Sequence, residues 1–284
     1  MRRVPDWDAT TRARTAHSRR SAPCKPTTVT SLSKMGYRRH CNGGRMEKTP
    51  NAYPPDCRPF RIMAFGDSNT FGTASVAVPP SFRLTAENRW PRVMQFCLTS
   101  AEVVEEGLPG RTTDLEDLQE PVQGGVSYSG LQHLPTALAS HQPLDLVILM
   151  LGTNDAKTRF ERDAHDIAAG MRRLVSTVKS SQSIMGYTAP SVLVISPPAI
   201  ASSVVNGRFV EMFACGSLLT AALPDLYRAI AREFSADFLD ANDIISTDGI
   251  DGVHWTVHTH RTFGTAVATW IAGKYQLLMR EPLP

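Results

Sequence analysis

The 284-residue sequence predicts an α/β protein with a mainly parallel sheet, folded as one domain behind a basic extension. Two observations carry this. From residue 59 onward, short apolar runs bounded by turn signals alternate with longer stretches of helical period, the pattern of α/β architecture. Several of those runs are almost unbroken, as expected of strands covered on both faces.

In chain order, strands are expected at Phe60–Phe65, Glu102–Glu106, Leu144–Leu151, Ser191–Ile195 and Asp237–Asp240. Helical stretches fall between and after them, at about Trp90–Thr99, Arg162–Ser180, Phe209–Phe234 and Val257–Leu278. In the second of these, Ile167, Met171, Leu174, Val175 and Val178 recur at three- and four-residue spacing and form one apolar stripe. Pro224 should kink or break the third. Residues 72–89 and 111–142 read as long irregular segments suited to shaping a binding site or a subunit contact.

The formal charge of +3 hides an asymmetry, because the first 50 residues carry twelve Lys/Arg against three Asp/Glu and the rest is acidic. That balance gives no reason to expect a nucleic-acid surface on the body. Residues 1 to about 57 are rich in Arg, Ser, Thr and Pro without either period, and are expected to be disordered, leaving 58–284 as the folded domain. A targeting peptide and a start assigned too early, with Met35 or Met46 as alternatives, both fit the extension. Cysteines at 24, 41, 57, 97 and 215 form no pairing framework, and Cys97 and Cys215 read as buried small hydrophobes. No apolar run approaches the roughly 20 residues that cross a bilayer, and no secretory h-region is visible, so a cytoplasmic protein without membrane contact is expected.

Chemistry concentrates in four blocks. In Phe65-Gly66-Asp67-Ser68 an apolar strand ends on a glycine and a serine, which places Ser68 at the carboxyl edge of the sheet, where such sheets bind ligands. A serine hydroxyl becomes a nucleophile when a base takes its proton. Standing alone, however, a Gly-Asp-Ser serves more often as a helix cap. The base is read in Asp248-Gly-Ile-Asp251-Gly-Val-His254-Trp-Thr256, where one loop presents Asp251 to one imidazole nitrogen and leaves the other for the serine. Thr256 is the expected cap of the last helix. Leu151-Gly-Thr-Asn154-Asp155 follows the most apolar strand, so Asn154 can donate to an oxyanion. Glu106-Gly-Leu-Pro-Gly110-Arg111 follows the second strand, and Gly110 can direct a backbone N–H inward. Arg111 is read as structural.

Together these blocks resemble the SGNH (GDSL-type) hydrolase superfamily over about residues 59–278, and within it the bacterial arylesterases and acyltransferases typified by a mycobacterial acyltransferase. Ser68, Gly110, Asn154 and His254 match the four named positions and Asp251 the triad acid. The resemblance implies a flavodoxin-like three-layer αβα sandwich around a five-stranded parallel sheet, no cofactor or metal, and a homo-oligomer. It implies a serine esterase acting on short-chain or aryl esters through an acyl-enzyme on Ser68, with an oxyanion hole from Ser68, Gly110 and Asn154. Water or an alcohol would accept the acyl group, with transesterification or perhydrolysis as further activities.

Asn69 and Thr73 stand where that acyltransferase has bulky apolar residues, which predicts a more polar pocket mouth, while Phe71 keeps an aromatic. Trp255 is expected as a wall beside His254. Three other readings compete: a carbohydrate O-deacetylase or lysophospholipase using the same apparatus, a zinc site from His254, His258 and His260, and a non-catalytic ligand-binding domain.

Overall fold

A computed structural model describes residues 58–77, 80–120, 125–183, 185–201 and 207–280. The extension read over residues 1–57 lies outside the described residues. Five strands, β1 (Phe60–Gly66), β2 (Ala101–Gly107), β3 (Leu146–Met150), β4 (Ser191–Ser196) and β5 (Asp237–Asp240), form one sheet in the order β2-β1-β3-β4-β5. Every pairing is parallel, as the unbroken apolar runs require.

Alternation along each strand divides the core. Met63, Phe65, Val147 and Leu149 face one layer, packed against α3 (Gly130–His141), α4 (Ala164–Lys179) and α7 (Leu223–Glu233). Ile62, Ala64, Leu146 and Ile148 face the other, under α2 (Trp90–Cys97) and α8 (Val257–Tyr275). The result is the three-layer αβα sandwich expected. The apolar stripe of α4 is buried throughout, and a capping box of Asp163 and Asp166 starts that helix.

Two expectations about local structure are corrected. The segment 111–142 is not irregular to its end, because α3 occupies 130–141, with Ser129 accepting the N–H of Gln132 at its start. Pro135 lies inside this helix and disguised it in the sequence. The stretch 209–234 is three helices, α5 (Gly207–Met212), α6 (Gly216–Ala221) and α7; the break at Pro224 is the expected one, the proline standing in the first turn of α7, where its missing N–H costs nothing, while the break between α5 and α6 was not expected. Cys97 is buried as expected, whereas Cys215, in the break between α5 and α6, is exposed.

Register delivers the site. Gly66 of β1 lies opposite Gly107 of β2 and Met150 of β3, so three strands end level and their following loops meet above one edge.

Candidate active site

The nucleophile block opens on β1. After it, α1 (Ser68–Phe71) is one turn long, and Asp67 rather than Ser68 caps it, its carboxylate accepting the N–H of Asn69 at 3.0 Å. This removes the cap reading of Ser68. The Ser68 carbonyl accepts from both Gly72 and Thr73 at 2.9 Å, which fixes its backbone. Asp67 is buried, and burial pushes its carboxyl up against the pull of Asn69, His254, Thr153 and Arg111.

The Asp251–His254 block lies between β5 and α8. Asp248 anchors the start of α8 by accepting from Thr256 N at 2.9 Å and from the hydroxyls of Thr256 and Thr259 at 2.6 and 2.8 Å. Thr256 caps α8 through the N–H of Thr259, as expected. Asp251 Oδ2 lies 2.8 Å from His254 Nδ1, and its Oδ1 accepts the backbone N–H groups of Val253 and His254 at 3.0 and 2.8 Å. Burial raises the Asp251 carboxyl, but these bonds and the charge of the imidazole outweigh it and bring it down to about 2. The imidazole is thereby oriented, and the ring of Phe209 meets it edge-on at 6.0 Å.

Beyond β2, a side chain at Gly107 would collide with the backbone of Phe71, so glycine lets the β2 loop close on α1. Gly110 holds φ +86°, a conformation glycine adopts without strain. Arg111 is buried and structural: it donates to the Gly66 carbonyl at 3.1 Å and to the Glu106 carbonyl, with its guanidinium 4.2 Å from the centre of the Phe65 ring. Its desolvation lowers its pKa to about 10 against the charges of Glu106 and Asp67. Asn154 is buried, and its Nδ2 donates to the Arg111 carbonyl at 3.1 Å, leaving one amide N–H uncommitted there.

Ser68, Gly110 and Asn154 thus stand on adjoining loops joined by Arg111. The link from Ser68 to His254 is indirect. Asn69 Nδ2 donates to Val253 O at 3.2 Å and Asp251 N donates to Ser75 Oγ at 3.3 Å; among the described residues no hydrogen bond joins the Ser68 hydroxyl to His254.

Of the four residues expected around the pocket, two have side chains directed elsewhere. Trp255 is only 1% exposed and packs in the core beneath α8 against His260 and Phe263 at 5.1 Å, because the chain turns after His254 and sends the next side chain inward. Asn69 is 3% exposed, with its amide turned to Val253, so it does not make the mouth polar. The Thr73 hydroxyl is likewise buried, while Phe71 is half-buried with the Arg83 guanidinium 4.2 Å from its ring centre.

Asp67, Ser75 and Asp155 organise the site without having been picked out for it. For Asp67 a signal existed, since aspartate before a short helix is a strong cap. Ser75 and Asp155 act on partners far away in sequence. Among the three histidines read as a zinc alternative, His258 is exposed, and His260 is buried with neither nitrogen partnered and its pKa driven down to about 3 by burial. Among the described residues no cluster of three His, Cys, Asp or Glu is placed to hold a metal ion.

A profile of the GDSL-like Lipase/Acylhydrolase family matches residues 64–261. Among solved structures, the native aryl esterase of M. smegmatis is 41% identical, with TM-score 0.71, over 75% of this chain and 99% of its own. A carbohydrate acetylesterase from Sinorhizobium meliloti is 40% identical, with TM-score 0.71, over 76% and 99%. A carbohydrate acetylesterase family member from the same organism is 34% identical, with TM-score 0.71, over 77% and 100%. Among curated proteins no match is found.

Proposed function

The chain belongs to the GDSL-like lipase/acylhydrolase family and is a serine ester hydrolase of the SGNH type, and on that premise we propose that Ser68, His254 and Asp251 carry its reaction. The observation that supports this most is the 2.8 Å contact between Asp251 Oδ2 and His254 Nδ1, which leaves Nε2 as the imidazole's free nitrogen. A histidine held in that tautomer is a base for a serine whose hydroxyl is not spent on capping.

In the proposed reaction Ser68 Oγ attacks the ester carbonyl carbon as its proton passes to His254 Nε2. The carbonyl electron pair moves onto oxygen, and the oxyanion accepts from the N–H groups of Ser68 and Gly110 and the amide of Asn154. Collapse breaks the bond to the alcohol, which leaves with the proton from His254. Water then attacks the acyl-enzyme, giving its proton to His254, and the acid departs as Ser68 recovers a proton. An alcohol or a peroxide in place of water gives transesterification or perhydrolysis.

The substrate we propose is a small ester with a short acyl group, and the aryl esterase relative supports an aryl alcohol part. Acetylated carbohydrate is the second reading, favoured by the two acetylesterase relatives. No helix among the described residues is long and apolar enough to cross a membrane.

Hydrolysis of p-nitrophenyl acetate by Ser68→Ala and His254→Ala tests the assignment. Loss of at least about 1,000-fold in kcat in both supports it, and near-wild-type turnover in either overturns it. Acetylated sugars assayed beside aryl acetates separate the two substrate readings.

A further inference from the structure

The sheet ladder between β1 and β3 ends where Gly66 pairs with Met150, and Asn154 stands four residues further along the chain. Its side chain is tied to the Arg111 carbonyl, and the residue after it, Asp155, is tied to Thr113. The chain before it is held from the helical layer. The Tyr227 hydroxyl, on α7, donates to the Leu151 carbonyl at 3.0 Å.

We propose that Tyr227 is a positioning residue for the oxyanion hole, its hydroxyl fixing the backbone from which Asn154 presents its amide. The proposal rests on the reading of Asn154 as an oxyanion donor. Tyr227 lies 76 residues beyond Leu151 in the chain, so the bond fastens the turn after β3 to a helix from a distant part of the fold.

Three observations carry it. Tyr227 is fully buried, so its hydroxyl is shielded from water and the Leu151 carbonyl serves as its partner. Burial, reinforced by the charge of Asp155, pushes the phenol well above its ordinary value, so it stays a donor at neutral pH. Next, Gly152 holds φ +123°, and a Cβ there would lie 2.6 Å from the Tyr227 oxygen. Glycine serves both the conformation and the close approach, which sets the hydroxyl directly against the turn leading to Asn154. Finally, the turn has only long bonds of its own. Thr153 O accepts from Ala156 N and Asn154 O from Lys157 N, both at 3.3 Å, which leaves its placement to the ties at its two ends.

Tyr227→Phe removes one oxygen and keeps the ring. It is expected to fold, with a melting temperature lower by about 2–8 °C because the Leu151 carbonyl loses its partner. Its kcat on p-nitrophenyl acetate should fall by about 10-fold with KM within about twofold, as a small misplacement of a transition-state donor requires. In an Asn154→Ala background the same change should alter kcat by less than about twofold, since the group it positions is gone. If Tyr227→Phe does not fold, Gly152→Ala, whose methyl presses on the same hydroxyl, is read in the same two backgrounds.

Wild-type kcat in folded Tyr227→Phe overturns the proposal, as does an equal kcat loss in both backgrounds, which would mark a structural role only. Asn154→Ala measured by itself separates the two levels. If Asn154→Ala loses activity and Tyr227→Phe does not, only the positioning role falls; if Asn154→Ala keeps wild-type kcat, the oxyanion reading of Asn154 falls and the positioning role with it.

Discussion

Asp155 Oδ2 accepts the backbone N–H of Thr113 at 2.9 Å, and this bond fastens the loop after β2 to the turn after β3. Asp155 Oδ1 takes the Thr113 hydroxyl and Arg162 Nη1, the latter at 2.8 Å, and the carboxylate is fully buried. Burial pushes its pKa up to about 6 against the pull of Thr113 and Arg162. Because Asn154 is its chain neighbour and Gly110 lies three residues before Thr113, the pair holds both proposed oxyanion donors in one frame. Asp155→Ala should destabilise the protein by about 2–4 kcal/mol, since it strands a buried N–H and removes one of the two carboxylates on Arg162. Urea denaturation measures this, and kcat should fall in the fraction that remains folded.

Asn154 contributes one N–H to the Arg111 carbonyl and, in the proposed mechanism, one to the oxyanion. Asn154→Ala is expected to lower kcat by about 100- to 1,000-fold with little change in KM, because the lost bond is made mainly to the transition state. Steady-state kinetics with an aryl acetate provides the check, and a rise in KM alone would remove Asn154 from that role.

Gly110 meets two constraints that can be separated. A methyl group there would lie 3.1 Å from Tyr128 Cε1, and the φ of +86° strains any residue with a Cβ. Gly110→Ala should therefore lose activity, and adding Tyr128→Ala should restore only part of it, since space is returned but the backbone strain is not. Full recovery in the double variant would show that crowding alone sets the requirement.

Asp251, the proposed triad acid, links stability to pH. Its carboxyl sits at about 2 in the folded protein against an ordinary value of 3.8. A depressed carboxylate pKa stabilises the fold above the unfolded value and ceases to do so as pH falls through the folded one. The contribution amounts to about 2 kcal/mol at neutral pH and should disappear between about pH 4 and pH 2. In Asp251→Asn that part of the acid dependence should be missing from the denaturation profile, and kcat should drop by about 10,000-fold through loss of imidazole orientation.

Much of the fold could be read along the chain because its strands are buried on both faces. That requirement writes β1, β3 and β4 as unbroken apolar runs, and all five strands stand within two residues of where the runs place them. Helix α4 was equally legible, its apolar stripe being local in sequence. Helix α3 was not, since Pro135 signals a break that the surrounding packing overrides.

For the site, the sequence by itself pointed to the proposed chemistry: which serine, histidine, aspartate, asparagine and glycine stand in the loops that follow the strands, and in what order. Those residues sit in short motifs whose function depends on neighbours within a few positions, as Asp251 and His254 show. Tertiary structure alone decided which way the remaining side chains turn. It sent Trp255 into the core, closed Asn69 onto Val253, and made Asp155 the strut beneath Thr113. Each of these outcomes depends on a partner between 42 and 184 residues away or on the face of a strand or helix, and no local pattern records such a partner. Contacts of that kind exist only once parallel strands have brought their loops to one edge.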